Sequence, residues 1–230
     1  MIKLRIKLDI DKDAWNWWDA CNKVSFGMDW KQRIKPELRE QIVGKTQKEA
    51  NLFLIPYLEN LYKKKDKKIS KFIGKTKKIF DEKLENACVR IESVMGRPIY
   101  RKDFTLYFTM FPRAPYNPKT GSIWLSYRCK DPVGLFFHEL CHFQFIYYWR
   151  NKNTNVKKLP LDQFEFLKES LTVILDKDFL DIIEEEDDGY PIHKEFRSIL
   201  KKHWQNNHKF EELVEYGLKN IDKFCSRLKN

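Results

Sequence analysis

The sequence predicts an α+β fold on three observations. Ile2, Leu4, Ile6, Leu8 and Ile10 alternate with charged residues, two apolar runs lie in mid-chain at 104–111 and 122–128, and helical periodicity fills most of the rest. The expected organisation is one domain over 1–230, in which a helix-rich N-terminal segment, 1–97, is followed by a segment, 98–230, that carries the chemistry.

With 42% hydrophobic and 15% aromatic residues in 230, the chain has ample material for a core, which excludes disorder. A net charge of +11 favours polyanions or acidic neighbours without itself showing that any is bound. The alternating start lacks the apolar run of a signal peptide, and no apolar stretch is long enough to span a bilayer. A soluble, cytoplasmic protein with no membrane partner is expected. Cys21, Cys88, Cys129, Cys141 and Cys225 are odd in number, scattered and without C-x-x-C spacing, which fits free thiols in a reducing compartment.

The opening strand has a basic outer face of Lys3, Arg5 and Lys7. Asp11 or Asp13 is placed to cap a helix carrying Trp15, Trp17, Trp18 and Cys21, a cluster that reads as core. From Pro36 to Met95 the pattern is helical, with interruptions expected near Gly44 and Pro56. Ile69, Phe72, Ile73, Ile79, Phe80, Leu84, Cys88, Ile91 and Met95 mark a long amphipathic helix, ended by Gly96 and Pro98. The lysines between Lys63 and Lys78 read as a solvated face. Nucleic acid stays open as a partner but is not favoured, because no aromatic and arginine pattern for reading bases accompanies them. Phe104–Phe111 and Ser122–Arg128 are expected to form an antiparallel hairpin around the turn-rich segment Pro112–Gly121.

Next comes Asp131–Trp149, in which Asp131 suits an N-cap, Pro132 the first helical position, and nothing after Gly134 breaks the helix. Leu135, Phe136, Phe137, Leu140, Phe143, Phe145, Ile146 and Trp149 surround the wheel, so this helix should be buried on all sides. It contains His138-Glu139-Leu140-Cys141-His142, the spacing H-E-x-x-H. Residues four apart share a helix face, which aims both imidazoles at one point and lets Glu139 reach a water held there. Chance copies of this pattern usually lie on polar helices, whereas here the flanks are apolar. Cys141 points away from the histidine face and reads as packing.

A catalytic metal site needs a third protein ligand. No further histidine follows His142 at short spacing, so attention moves past a lysine-rich loop at 151–158 to a helix expected over Asp162–Leu175. There Glu169 borders the apolar arc beside Phe166 and Val173, while Glu165 points further toward solvent. Beyond an acidic loop, Glu184–Asp188, two helices are expected near His193–Trp204 and Phe210–Leu228.

H-E-x-x-H with a glutamate on the following helix resembles the gluzincins, the thermolysin-like zinc metallopeptidases. Glu169-Ser-Leu-Thr looks like that family's glutamate followed by small residues, and the likeness covers roughly 104–200. The resemblance implies a zincin-like fold with Zn2+ held by His138, His142 and Glu169, and Glu139 as general base. It also implies a peptide or protein substrate paired to the strand before the motif helix, here Ser122, Ile123, Trp124 and Leu125. Thermolysin-like enzymes often carry an aspartate four residues after the glutamate ligand, to orient the first histidine. This chain has Val173 there, so the partner of His138 must come from elsewhere or the metal is held more weakly. A donor to the developing oxyanion, commonly tyrosine or histidine in that family, is sought in Asp188–His193, where Gly189 and Pro191 fix a turn and Tyr190 and His193 are the candidates. Two alternatives stay open: an aspartate ligand as in the aspzincins, Asp176 or Asp178, and a basic nucleic-acid-associated or scaffolding protein whose zinc site is structural or inactive.

Overall fold

The N-terminal alternation folds as a strand, β1 (Lys3–Leu8), with Lys3, Arg5 and Lys7 exposed and Leu4 and Ile6 half-buried. The computed structural model describes residues 2–23 and 29–225. Lys3–Ile79 and Asp103–Lys130 form one compact unit, and Phe80–Lys102 with the chain from Asp131 forms another, so the stretch 98–230 contributes to both.

In the first unit, α1 (Ile10–Asn22) is capped by Asp9, whose side chain accepts from Lys12 N at 3.0 Å. This corrects the expected cap at Asp11 or Asp13. The helix starts directly after β1, which puts Asp13 in its first turn and turns that carboxylate into the core. There it accepts from Tyr62 OH at 2.9 Å, from Met110 N at 3.0 Å and from the Thr109 hydroxyl. The helix α2 (Pro36–Ile42) ends before Gly44, which adopts φ +75°, and α3 (Gln47–Met95) then runs without a break through Pro56. The break expected at Pro56 is absent. An interior proline costs about 3 kcal/mol, and the fully buried Ala50, Leu54 and Leu58 around it offset that by burial.

Strands β2 (Asp103–Thr109), β3 (Tyr116–Asn117) and β4 (Ser122–Ser126) complete a mixed sheet of order β1-β2-β4-β3. β2 and β4 are parallel, with Thr105 opposite Ser122 and Thr109 opposite Ser126, which overturns the expected antiparallel hairpin. The intervening segment is long enough to cross over. The tight turn belongs instead to β3 and β4: Asn117 Oδ1 accepts from Lys119 N at 3.0 Å, Gly121 takes φ +67°, and Tyr116 pairs antiparallel with Ile123. Ser122, Ile123, Trp124 and Leu125 are consequently buried, with β2 on one side and β3 against their start. The strand expected to pair with substrate thus has β3 already paired to Ser122 and Ile123.

The second unit is helical: the end of α3, then α4 (Pro132–Phe145), α5 (Thr154–Lys158), α6 (Leu161–Ser170), α7 (Lys194–Asn207) and α8 (Phe210–Cys225). Asn153 caps α5, so the stretch read as a loop holds one helical turn. The expected end of the last helix, 226–228, lies outside the described residues. Buried Phe136, Phe137, Leu140 and Phe143 on α4 form the centre, and Phe145 stacks on Phe164 of α6 at 5.7 Å between ring centroids. A Cβ at Gly217 would stand 2.7 Å from Leu167 Cδ1, so the glycine lets α8 close on α6. No disulfide joins any of the five cysteines. No described helix is long and apolar enough to cross a membrane.

Candidate metal centre

Asp131 caps the motif helix as expected, accepting from Val133 N at 3.1 Å and Gly134 N at 2.8 Å. Its other oxygen accepts from Glu184 N at 2.8 Å, which fastens the acidic loop to the start of α4. Further along the helix, Gln144 bridges Pro98 O at 3.0 Å and Tyr100 N at 2.8 Å, satisfying a fully buried amide. α4 then continues as a π-turn over Ile146–Arg150. The helix that carries the histidines is therefore pinned at both ends.

His138 and His142 present their rings with centroids 4.4 Å apart, and Glu169 reaches them from the last turn of α6. His138 Nε2 lies 3.5 Å from Glu169 Oε2, and His142 Nε2 lies 3.3 Å from Glu169 Oε1. Ligand atoms of the three residues all fall within 4.8 Å of one another. Donors around a tetrahedral ion with bonds of about 2.0–2.1 Å stand about 3.3 Å apart, so this group is of a size to hold a metal ion. His142 and Glu169 are buried, with side-chain exposures of 1% and 5%, whereas His138 keeps 18%, so the group is most accessible at the His138 side.

After Ser170 the chain tightens into a 3-10 turn, Leu171–Ile174, whose Thr172 hydroxyl donates to Glu169 O at 2.9 Å. Arg197 of α7 donates to the same carbonyl at 2.9 Å and to Thr172 Oγ1 at 2.6 Å, and it also holds the backbone carbonyl of Asp187. Gly189 makes room for this guanidinium: at φ +64°, a Cβ there would lie 2.8 Å from Arg197 Cδ and Nε. The acidic loop is thereby set so that Asp187 Oδ2 stands 3.1 Å from His138 Nδ1. An ionised carboxylate can only accept, so Nδ1 carries the proton and a neutral ring offers its Nε2 lone pair to a metal. Asp187 supplies what Val173 does not, and sequence reading missed it because it lies on a polar loop with no fixed spacing to the motif.

The electrostatics ask for positive charge. Burial opposes a charged ring at His138, yet Asp187, Glu169 and Glu139 outweigh it and push this group up to about 10. Burial, helped by the positive charge at His138 and Lys168, holds His142 down near 3, in the neutral form a metal requires. Although burial raises carboxyl pKa values, the histidines and Lys168 hold Glu169 well below the usual range, and His138 and Arg197 do the same for Asp187. Glu139 is different. It is raised to about 8, chiefly by burial and then by Glu169 and Asp187 against the relief from His138, and its Oε2 is buried without a hydrogen-bond partner.

Of the remaining candidates, Tyr190 is 45% exposed, and its phenol is raised by burial and by the charges of Glu169 and Glu139, which places it within their field. His193 is buried against Phe166 at 4.7 Å with Nδ1 unpartnered, and its pKa is lowered to about 4, mainly by burial. Asp176 accepts from Trp204 Nε1 at 3.1 Å and caps a short turn, and neither it nor Asp178 belongs to the histidine group. Glu165 pairs with Lys168 at 2.6 Å. Cys141 is buried, and its thiol is raised by burial, as a packing residue should be. No protein-family model, curated protein or solved structure matches this chain.

Proposed function

We propose that the protein is a zinc-dependent peptidase with a zincin-like metal-site unit, working in the cytoplasm on peptide or protein substrates. The observation that carries this reading is the convergence of His138, His142 and Glu169, together with a Glu139 that feels the charges of His138 and Glu169 and keeps Oε2 buried without a hydrogen-bond partner. Three protein ligands leave a tetrahedral ion one position for water, the arrangement of catalytic rather than closed structural zinc. Bound there, zinc would bring a coordinated water close to neutral pKa and polarise a scissile carbonyl.

The chain's own residues do the remaining work. A cation held by the histidines would draw Glu139 back to its ionised form, in which this residue, adjacent in sequence to His138, would take a proton at its unpaired Oε2 and return it to the leaving amine. Asp187 keeps the Nδ1 proton on His138 and fixes the ring. Tyr190 and His193 are assigned to donate to the charge growing on the carbonyl oxygen. Five cysteines without a disulfide among them support a reducing compartment.

The test is a peptide-library digestion by zinc-loaded wild type and Glu139→Gln. Cleavage by the wild type that a chelator stops and Glu139→Gln lacks, at unchanged zinc content, supports the reading. Equal cleavage by both proteins would remove Glu139 as the base, and no cleavage by either would count against a peptidase.

A further inference from the structure

Lys168 has a side chain with no solvent exposure, an unusual place for an ammonium group. Its Nζ lies 2.6 Å from Glu165 Oε2 and 3.2 Å from Glu169 Oε1. Burying such a cation costs several kcal/mol unless good partners offset it, and a methionine would fill the same space without that cost. Packing alone therefore does not account for a lysine here. Its position relative to the two oxygens of Glu169 does. Oε1 stands 3.2 Å from the ammonium and 3.3 Å from His142 Nε2, so the ammonium competes for the oxygen that would otherwise turn to the metal, while Oε2 faces His138 Nε2 alone, at 3.5 Å.

We propose that Lys168 is a positioning residue: by engaging Oε1 of Glu169 it leaves Oε2 as a single metal donor and prevents the carboxylate from chelating through both oxygens. Glu165, whose side chain is 26% exposed, is the outer tether that holds the ammonium in line. A carboxylate free to bind with both oxygens would take the coordination position that water needs. The inference rests on the proposed role of Glu169 as a metal ligand, and it gives Glu165 a role other than ligation.

Cobalt substitution tests it, because visible absorption per bound Co2+ is strong for four-coordinate sites and weak for higher coordination. Wild type should show the strong bands, and Lys168→Met should lose at least about half of that intensity per bound cobalt as the carboxylate closes on the ion. Lys168→Arg, which keeps the cation, should restore it. Misfolding would lower the amount of cobalt bound but not the intensity per bound ion. Glu165→Gln, at a partly exposed position, should shift the spectrum in the same direction by a smaller amount, and it decides the matter if Lys168→Met does not fold. Wild-type spectra in the folded lysine variant, or in Glu165→Gln where that variant alone is available, would overturn the proposal and leave the metal site standing. Failure of the wild type to bind cobalt or zinc would overturn the metal site itself.

Discussion

Asp187 Oδ2 lies 3.1 Å from His138 Nδ1, tying an acidic loop to the first motif histidine across 49 positions of sequence. The pair is reinforced from behind, since Arg197 holds the Asp187 backbone carbonyl and approaches its carboxylate at 3.4 Å. Removing such an outer carboxylate typically costs about 10- to 100-fold in metal affinity. Asp187→Ala should therefore weaken zinc binding by that amount in a chelator competition, with little change in the circular dichroism of the fold. An unchanged affinity would make the contact incidental.

Tyr190 and His193 follow Gly189, whose left-handed backbone leaves room for Arg197, and both feel the charge of Glu169. A donor to a developing oxyanion is worth about 10²- to 10³-fold in turnover. Tyr190→Phe or His193→Ala should show a loss of roughly a hundredfold in kcat with small changes in KM and zinc content. Normal turnover in both variants would send the search to Tyr147, Tyr148 or Tyr127.

Asp13 offers a pH test far in sequence from the motif. Burial, opposed by hydrogen bonds from Thr109, Met110 and Tyr62, raises its pKa from 3.8 to about 6. The folded state thus binds this proton more tightly than the unfolded chain, so its contribution to stability is full below pH 3.8 and is lost as pH rises through 6. The displacement corresponds to about 3 kcal/mol. Denaturant titrations of wild type and Asp13→Asn should differ in slope between pH 4 and 7, with the variant lacking a fall of this size. Parallel curves would contradict the raised value.

Local patterns were legible, and nonlocal pairings were not. Asp131, Pro132 and the apolar wheel of α4 act within one helix, so its start and its buried character follow from adjacent residues. Glu169 was legible because the border of an apolar arc is a local property. The direction of β4 was not, because identical alternation serves parallel and antiparallel neighbours, and only the placement of β3 by Asn117 and Gly121 decides between them. Asp13 misled because an acid near a helix start usually caps it, whereas here the tertiary partners Tyr62 and Met110 recruit it inward. Nothing in their local sequence marks Lys168 and Arg197 as buried, and only the packed structure shows them set beside carboxylates.

Binding of one catalytic metal ion by His138, His142 and Glu169 is read out by zinc content, measured by elemental analysis after exhaustive gel filtration. Wild type should carry about one zinc per chain, three protein ligands with an open fourth position being the catalytic pattern. Glu169→Ala and His142→Ala should each carry little or none while remaining folded. Undiminished zinc in Glu169→Ala would remove Glu169 as a ligand, and a wild type without zinc after loading would mean that these residues hold no zinc.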